Sequence, residues 1–230
     1  MPPPYNPAMA SVPFYAAATL MMAAVVRAAP AAAAAVGGPP IVGWFLAGGA
    51  MFAVLGATGL AIARRRGGLR HGLRLRPLTK PDALATGRAM LAAAAASGLV
   101  LLGLWAAAGF GPSVPGLPPP TLTLPADPPG WLPLAWLPLY ALNVLGEEVL
   151  WRGALLPGEE RRFGRRAWLV NGAGVSVFHL PLGASLTLVV APFLLAMAYV
   201  CQRRRSLWPS VLLHAALNAT AFACAMAGLW

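Results

Sequence analysis

Residues 146–153, GEEVLWRG, place Glu147, Glu148 and Arg152 between two strongly apolar runs. The flank before them reads WLPLAWLPLYALNVL and the flank after them ALLPG, the composition of a helix in lipid. An ionised side chain inside a membrane is costly, and such residues are almost always paired or functional. The stretch therefore raises two questions together: whether its flanks cross a bilayer, and why three charges persist among them.

The rest of the chain answers the first. Of its 230 residues, 59% are hydrophobic and only 10% charged, with a mean hydropathy of +0.69. Soluble domains are about half apolar and a quarter charged. The expected fold is all-α, a polytopic transmembrane helical bundle. An apolar stretch of about 17–25 residues can span a bilayer. Seven stretches qualify or come close, near 9–29, 41–63, 89–110, 131–157, 167–180, 185–202 and 207–227. The fifth is short, and the fourth is long enough to be broken or to protrude.

The formal net charge of +11 invites a nucleic-acid reading, which its placement rejects. Fifteen of the seventeen basic residues lie in three segments, at 64–88, 161–166 and 203–205. With seven spans these fall on one side, while the opposite loops, 30–40, 111–130 and 181–184, hold no Lys or Arg. This is the positive-inside pattern, giving a cytoplasmic N-terminus and an external C-terminus. The basic loops are expected to meet anionic lipid headgroups. Trp44 and Trp131 at the outer ends, with Trp168 and Trp208 at the inner ends, suit interfacial aromatic belts. The N-terminal apolar stretch lacks the positive flank of a signal peptide, so it reads as a retained span. Sixteen Arg against one Lys, with abundant Ala, Gly and Pro, point to a GC-rich bacterial genome and hence a bacterial cytoplasmic membrane. Cys201 and Cys224 fall near opposite ends of their spans, too far apart for a disulfide.

Two connections stand out. GGLRHGLRLRPLTKPDALATG, residues 67–87, has room for a short interfacial amphipathic helix before its prolines interrupt. GPSVPGLPPPTLTLPADPPG, residues 111–130, is too rich in proline for a helix and is expected to be an extended external loop. Residues 1–110 then form N-terminal spans with a basic cytoplasmic loop, as scaffold or substrate-facing wall. Residues 130–228 form a helical core that holds everything with chemical potential.

Of three histidines, His71 lies in the basic loop, whereas His179 and His214 lie in the apolar runs VSVFHLPLG and WPSVLLHAALN. At ~1.5 Å per helical residue from the basic ends, Glu147, His179, His214 and Asn218 come to similar depths. Glu148 and Arg152 are four residues apart, share a face and can pair, which removes a net charge from the bilayer. Glu147 points about 100° away, free to act on something else. His214 and Asn218 are also four apart and can present two donors in one direction. A carboxylate base, a His on a second helix and a His/Asn pair on a third are the parts of a hydrolase. The base and one His hold a water, and the pair stabilises an oxyanion.

These residues resemble the motifs of the CAAX-protease and bacteriocin-processing (CPBP or ABI) family of intramembrane proteases. EEVLWRG fits its EExxxR motif, VFHLPLG sits where FxxxH belongs, and SLWPSVLLHAALN fits HxxxN with its lead-in. Val175 stands where that second motif has Phe, an apolar exchange expected to alter packing alone. The likeness spans roughly residues 130–225. It implies an endopeptidase acting on a peptide or membrane-anchored protein substrate. By motif, Glu147 and His179 would activate water, His214 and Asn218 would form the oxyanion site, and Glu148 and Arg152 would support the architecture.

Other readings compete. Family members are often described as metalloproteases, and Glu147, His179 and His214 could supply three zinc ligands with water as the fourth. No HExxH and no Cys cluster is present, and Asn218 suits an oxyanion better than a metal, so the favoured chemistry uses no cofactor. A non-catalytic peptide binder or immunity protein could use the same polar layer. A transporter would bring repeats or paired broken helices, and neither is visible.

Overall fold

The computed structural model describes residues 11–111, 113–125 and 127–228, and every regular element among them is helical. In chain order these are α1 (Ser11–Ala35), α2 (Pro40–Arg65), α3 (Leu69–Gly72), α4 (Lys80–Ala107), α5 (Leu132–Glu148), α6 (Leu156–Phe163), α7 (Ala167–His179), α8 (Ala184–Arg204) and α9 (Trp208–Met226). Each of the seven apolar stretches falls on a helix; residues 9 and 10 of the first lie outside the described residues. Helices α1, α2, α4, α8 and α9 are long and apolar enough to cross a membrane. At 17 and 13 residues, α5 and α7 fall short of that length as single helices. They nonetheless carry buried Glu147 and Glu148 on α5 and buried Asn171 on α7.

The path from α5 to α6 is continuous but not uniform. Val149–Leu155 widens into a π-helical turn, in which the Leu156 N–H reaches back five residues to the Trp151 carbonyl. Pro157 supplies a physical reason. Its ring has no N–H to give and would press on the carbonyl four residues back, at Gly153; a wider turn relieves that clash. Side chains meet backbone carbonyls of this turn. Arg66 Nη1 donates to Ala154 O, and Asn171 Nδ2 donates to Trp151 O at 3.0 Å.

α2 approaches this turn closely. A Cβ at Gly59 would lie 2.8 Å from the backbone of Leu150, and one at Gly146 would run into the Phe52 carbonyl oxygen. Only hydrogen fits at either position. Lipid tails are as apolar as side chains, so helices in a membrane associate through such close packing. The contact sets the height of Glu147 and Glu148 against the wall that α2 provides.

The three basic segments gather at one end of the bundle. Buried Asp82 accepts from Arg76 Nη1 at 2.7 Å and from Arg204 Nε at 2.7 Å. It also forms a capping box with Thr79, which begins α4 nine residues before the expected start of the span. Pro81 sits in that first turn, where its missing N–H costs nothing. Arg74 pairs with Glu160 at 2.6 Å. Arg74, Arg76 and Arg204 therefore have acidic partners within the protein, while Arg64, Arg65 and Arg70 are exposed. The expected amphipathic helix shrinks to α3, after which Leu73 tucks into a buried cluster with Ala63, Val144, Leu207 and Val211. Near the same end, Tyr15 and Asn171 both donate to Glu159, tying α1 and α7 to α6.

At the other end, the proline-rich segment is not the extended loop its composition suggests. Around a short 3-10 turn at Pro120–Leu122 it folds back, packing Leu117, Leu122 and Leu124 on the core. Ser185 Oγ donates to Pro115 O at 2.7 Å. Pro112 and Ala126 of this loop lie outside the described residues. Trp44 also departs from expectation. It is buried, edge-on to Phe52, and belongs to the core rather than to an interfacial belt. Trp131 and Trp208 are exposed as a belt requires.

Candidate active site

Between α2, α4, α5, α8 and α9 lies a cavity of about 760 Å³. Its walls are almost wholly apolar: Trp44 and Phe52 from α2, Leu102 and Trp105 from α4, and Leu117 and Leu122 from the folded-back segment. Residues 1–110 thus contribute wall as well as scaffold. Glu147, His179, His214 and Asn218 all line this one cavity, although they come from three helices and are up to 71 positions apart in the chain.

Behind the cavity sits a buried ionic group. Arg152 Nη1 donates to Glu148 Oε1 at 3.0 Å, the pair expected from their spacing, despite the π-turn between them. Arg152 Nη2 also reaches Leu194 O of α8 at 3.0 Å. His214 Nδ1 lies 2.9 Å from the same Glu148 oxygen. Glu148 and Arg152 are fully buried and His214 is 4% exposed. Opposite charges held at this depth compensate one another; either left alone would be expensive. Glu148 thus does more than neutralise Arg152. It fixes the ring of His214 by taking its Nδ1–H, which leaves Nε2 as the other hydrogen-bonding nitrogen.

His179 is oriented in a similar way. Its Nδ1 lies 2.8 Å from Val175 O, and a carbonyl can only accept, so Nδ1 carries the proton. The neutral ring then keeps its lone pair on Nε2. Val175, where the family motif has Phe, is fully buried in the core, and its backbone holds the ring.

Glu147 is not as free as its helical angle implies. Asn143 Nδ2 donates to its Oε1 at 2.8 Å, while Oε2 is buried without a hydrogen-bond partner. Asn218 Nδ2 in turn donates to Asn143 Oδ1. His214 and Asn218 therefore share a helix face but hold different partners, Glu148 for one and Asn143 for the other. Sequence reasoning missed Asn143. The available signal was the four-residue spacing to Glu147, the same spacing that paired Glu148 with Arg152. Among the described residues, no three His, Cys, Asp or Glu side chains gather as a metal-holding set.

A family model described as Type II CAAX prenyl endopeptidase Rce1-like matches residues 129–220. That segment, under half of the chain, is similar to an Rce1-like CAAX endopeptidase domain. No curated protein and no solved structure matches the chain. The Rce1-like segment contains all the polar side chains just described around Glu147, Glu148, His179 and His214. The walls from α2 and α4 lie outside it. With five long apolar helices among the described residues, the protein is an integral membrane protein.

Proposed function

We propose that this chain hydrolyses peptide bonds of a membrane-associated substrate with a water activated by Glu147. The observation that carries the reading is that Glu147, whose buried Oε2 has no hydrogen-bond partner among the described residues, lines the same cavity as His179. Oε2 takes a proton from water, and His179 Nε2 accepts the other O–H and orients the nucleophile. The water oxygen attacks the carbonyl carbon; the proton held by Glu147 then passes to the leaving amine as the C–N bond breaks. The developing oxyanion is met by Asn218, whose amide keeps one N–H beyond the bond to Asn143. His214 assists through Nε2 when its ring is an imidazolium, with the Glu148 carboxylate as counter-charge. The apolar walls suit an apolar segment of the substrate. Residues 130–228 act as the catalytic core and residues 1–110 complete the chamber. No step requires a cofactor.

Purified protein in detergent is expected to cleave a peptide with an apolar segment, to contain no stoichiometric zinc, and to keep its turnover in phenanthroline. Stoichiometric zinc lost in His179→Ala or His214→Ala would decide for the metalloprotease. Failure to cleave any peptide while binding one would leave the non-catalytic binder.

The same reading places the basic end in the cytoplasm of a bacterial cell. Reporter fusions after Arg76, Phe163 and Arg204 are expected to report cytoplasm, and a fusion after Pro120 the exterior. A cytoplasmic signal at Pro120 overturns that orientation.

A further inference from the structure

Asn143 lies in none of the three motifs, one helical turn before Glu147 on α5. Its amide is tied at both ends, and chemistry fixes which way each bond runs. A carboxylate oxygen facing an amide accepts, so Asn143 presents Nδ2 to Glu147 Oε1 at 2.8 Å. Its carbonyl oxygen must then face the other way. There it accepts from Asn218 Nδ2, which fixes the amide of Asn218 as well. The direction runs from Asn218 through Asn143 to Glu147, with no ambiguous step. Asn143 and Asn218 are half-buried, whereas Glu147 is 1% exposed.

We infer that Asn143 is a positioning residue for the base: by holding Glu147 Oε1 it turns Oε2 toward the cavity, and it couples the orientation of Asn218 to that of the base. This rests on Glu147 acting as the base. Three rotatable bonds separate a glutamate carboxylate from its backbone, and in an apolar cavity no solvent shell selects one rotamer. A single donor from the same helix does so at little cost, since a residue four positions earlier lies on the same face. Holding the reacting group in place matters because a misplacement of about 1 Å can cost 100-fold in rate. The coupling also changes the reading of Asn218. Removing it withdraws an oxyanion donor and releases one end of the clamp on Glu147.

The test is steady-state cleavage by full-length protein in detergent, with melting temperature on the same preparation. Asn143→Ala is expected to lower kcat by about 10–100-fold, with KM within about threefold and a melting temperature close to wild type. Asn143→Asp keeps the shape but sets a second carboxylate against Glu147. Two carboxylates this close cannot both ionise freely, so the acidic limb of the kcat profile is expected to move to higher pH by at least about one unit. The other charged or titratable groups nearby, His179 on α7, His214 on α9 and the Glu148–Arg152 pair behind it, are untouched in these variants. The Asn143→Ala/Asn218→Ala double variant is expected to lose less than the product of the two single losses.

Wild-type kcat in Asn143→Ala overturns the inference, as does an unshifted profile in Asn143→Asp. So does a kcat loss in Asn143→Ala that only tracks a fall in melting temperature. Should Asn143→Ala fail to fold, the isosteric Asn143→Asp profile decides alone. Glu147→Gln separates this inference from the reading beneath it. A dead Glu147→Gln beside a normal Asn143→Ala rejects only the positioning role, whereas an active Glu147→Gln rejects the base itself.

Discussion

Glu147→Gln is expected to remove turnover while leaving the fold intact. The exchange keeps the shape of the side chain, and an amide oxygen can still accept from Asn143 Nδ2 where Oε1 now sits. Glu147 has no cation as a direct hydrogen-bond partner, so neutralising it strands no opposite charge. Burying a neutral amide in place of a carboxylate relaxes a desolvation penalty. The melting temperature should therefore hold or rise slightly. Chemistry, by contrast, loses its proton acceptor. General bases contribute about 10²–10⁴-fold, and an apolar cavity offers no ready substitute, so kcat should fall toward the upper part of that range. Turnover and melting measured on one preparation check both halves. Residual turnover within tenfold of wild type would remove Glu147 from the base role.

The neighbouring glutamate is expected to behave in the opposite way. Glu148 Oε1 meets Arg152 Nη1 at 3.0 Å and His214 Nδ1 at 2.9 Å, all out of reach of solvent. Glu148→Gln keeps an amide oxygen that can accept from the guanidinium but leaves that cation, bound also to Leu194 O, with no counter-charge. Breaking a buried pair from one side costs about 3–5 kcal/mol. That is a large part of the 5–15 kcal/mol by which proteins are commonly stable. Folded yield and melting temperature should fall together with activity. Removing both charges with Glu148→Gln/Arg152→Met should recover much of the stability, because an apolar replacement of a whole buried pair is often neutral. Activity should stay low, since His214 loses the carboxylate that serves as its counter-charge and can face an amide N–H in place of an acceptor. Equal melting temperatures for the two single glutamine variants would contradict this division.

The fold was legible because its signal is one of composition and period: six of the seven apolar stretches fall on single helices, and the fourth on α5, the π-turn and the start of α6. Counting residues inward from the arginine-rich ends brought Glu147, His179, His214 and Asn218 to one level, and they line one cavity. What stayed hidden depended on contacts between distant segments. Nothing local marks the π-turn except Pro157, whose effect on the preceding turn needs the three-dimensional path of α5. Asn143 was readable in principle, four residues from Glu147, but its second bond crosses to Asn218 on another helix. Trp44 read as an interfacial residue because its position near a helix end was visible and its packing on Phe52 was not. Leu117, Leu122 and Leu124 were diluted by prolines, so their joint apolar face did not stand out.

The glycine contact between α2 and α5 bears on how this molecule can be taken apart or diversified. The matched segment, residues 129–220, holds the proposed reactive groups, yet much of the cavity they line belongs to α2 and α4. On the proposed function, chemistry and selectivity thus sit on different stretches of one chain. Substitutions at Trp44, Leu102 or Trp105 can reshape what fits without touching a reacting atom. That freedom stops at Gly59 and Gly146, where any side chain would push the two stretches apart and shift wall and base together. A chimera with a foreign N-terminal half must reproduce that bare, sub-side-chain seam before its new chamber can face the old catalytic groups.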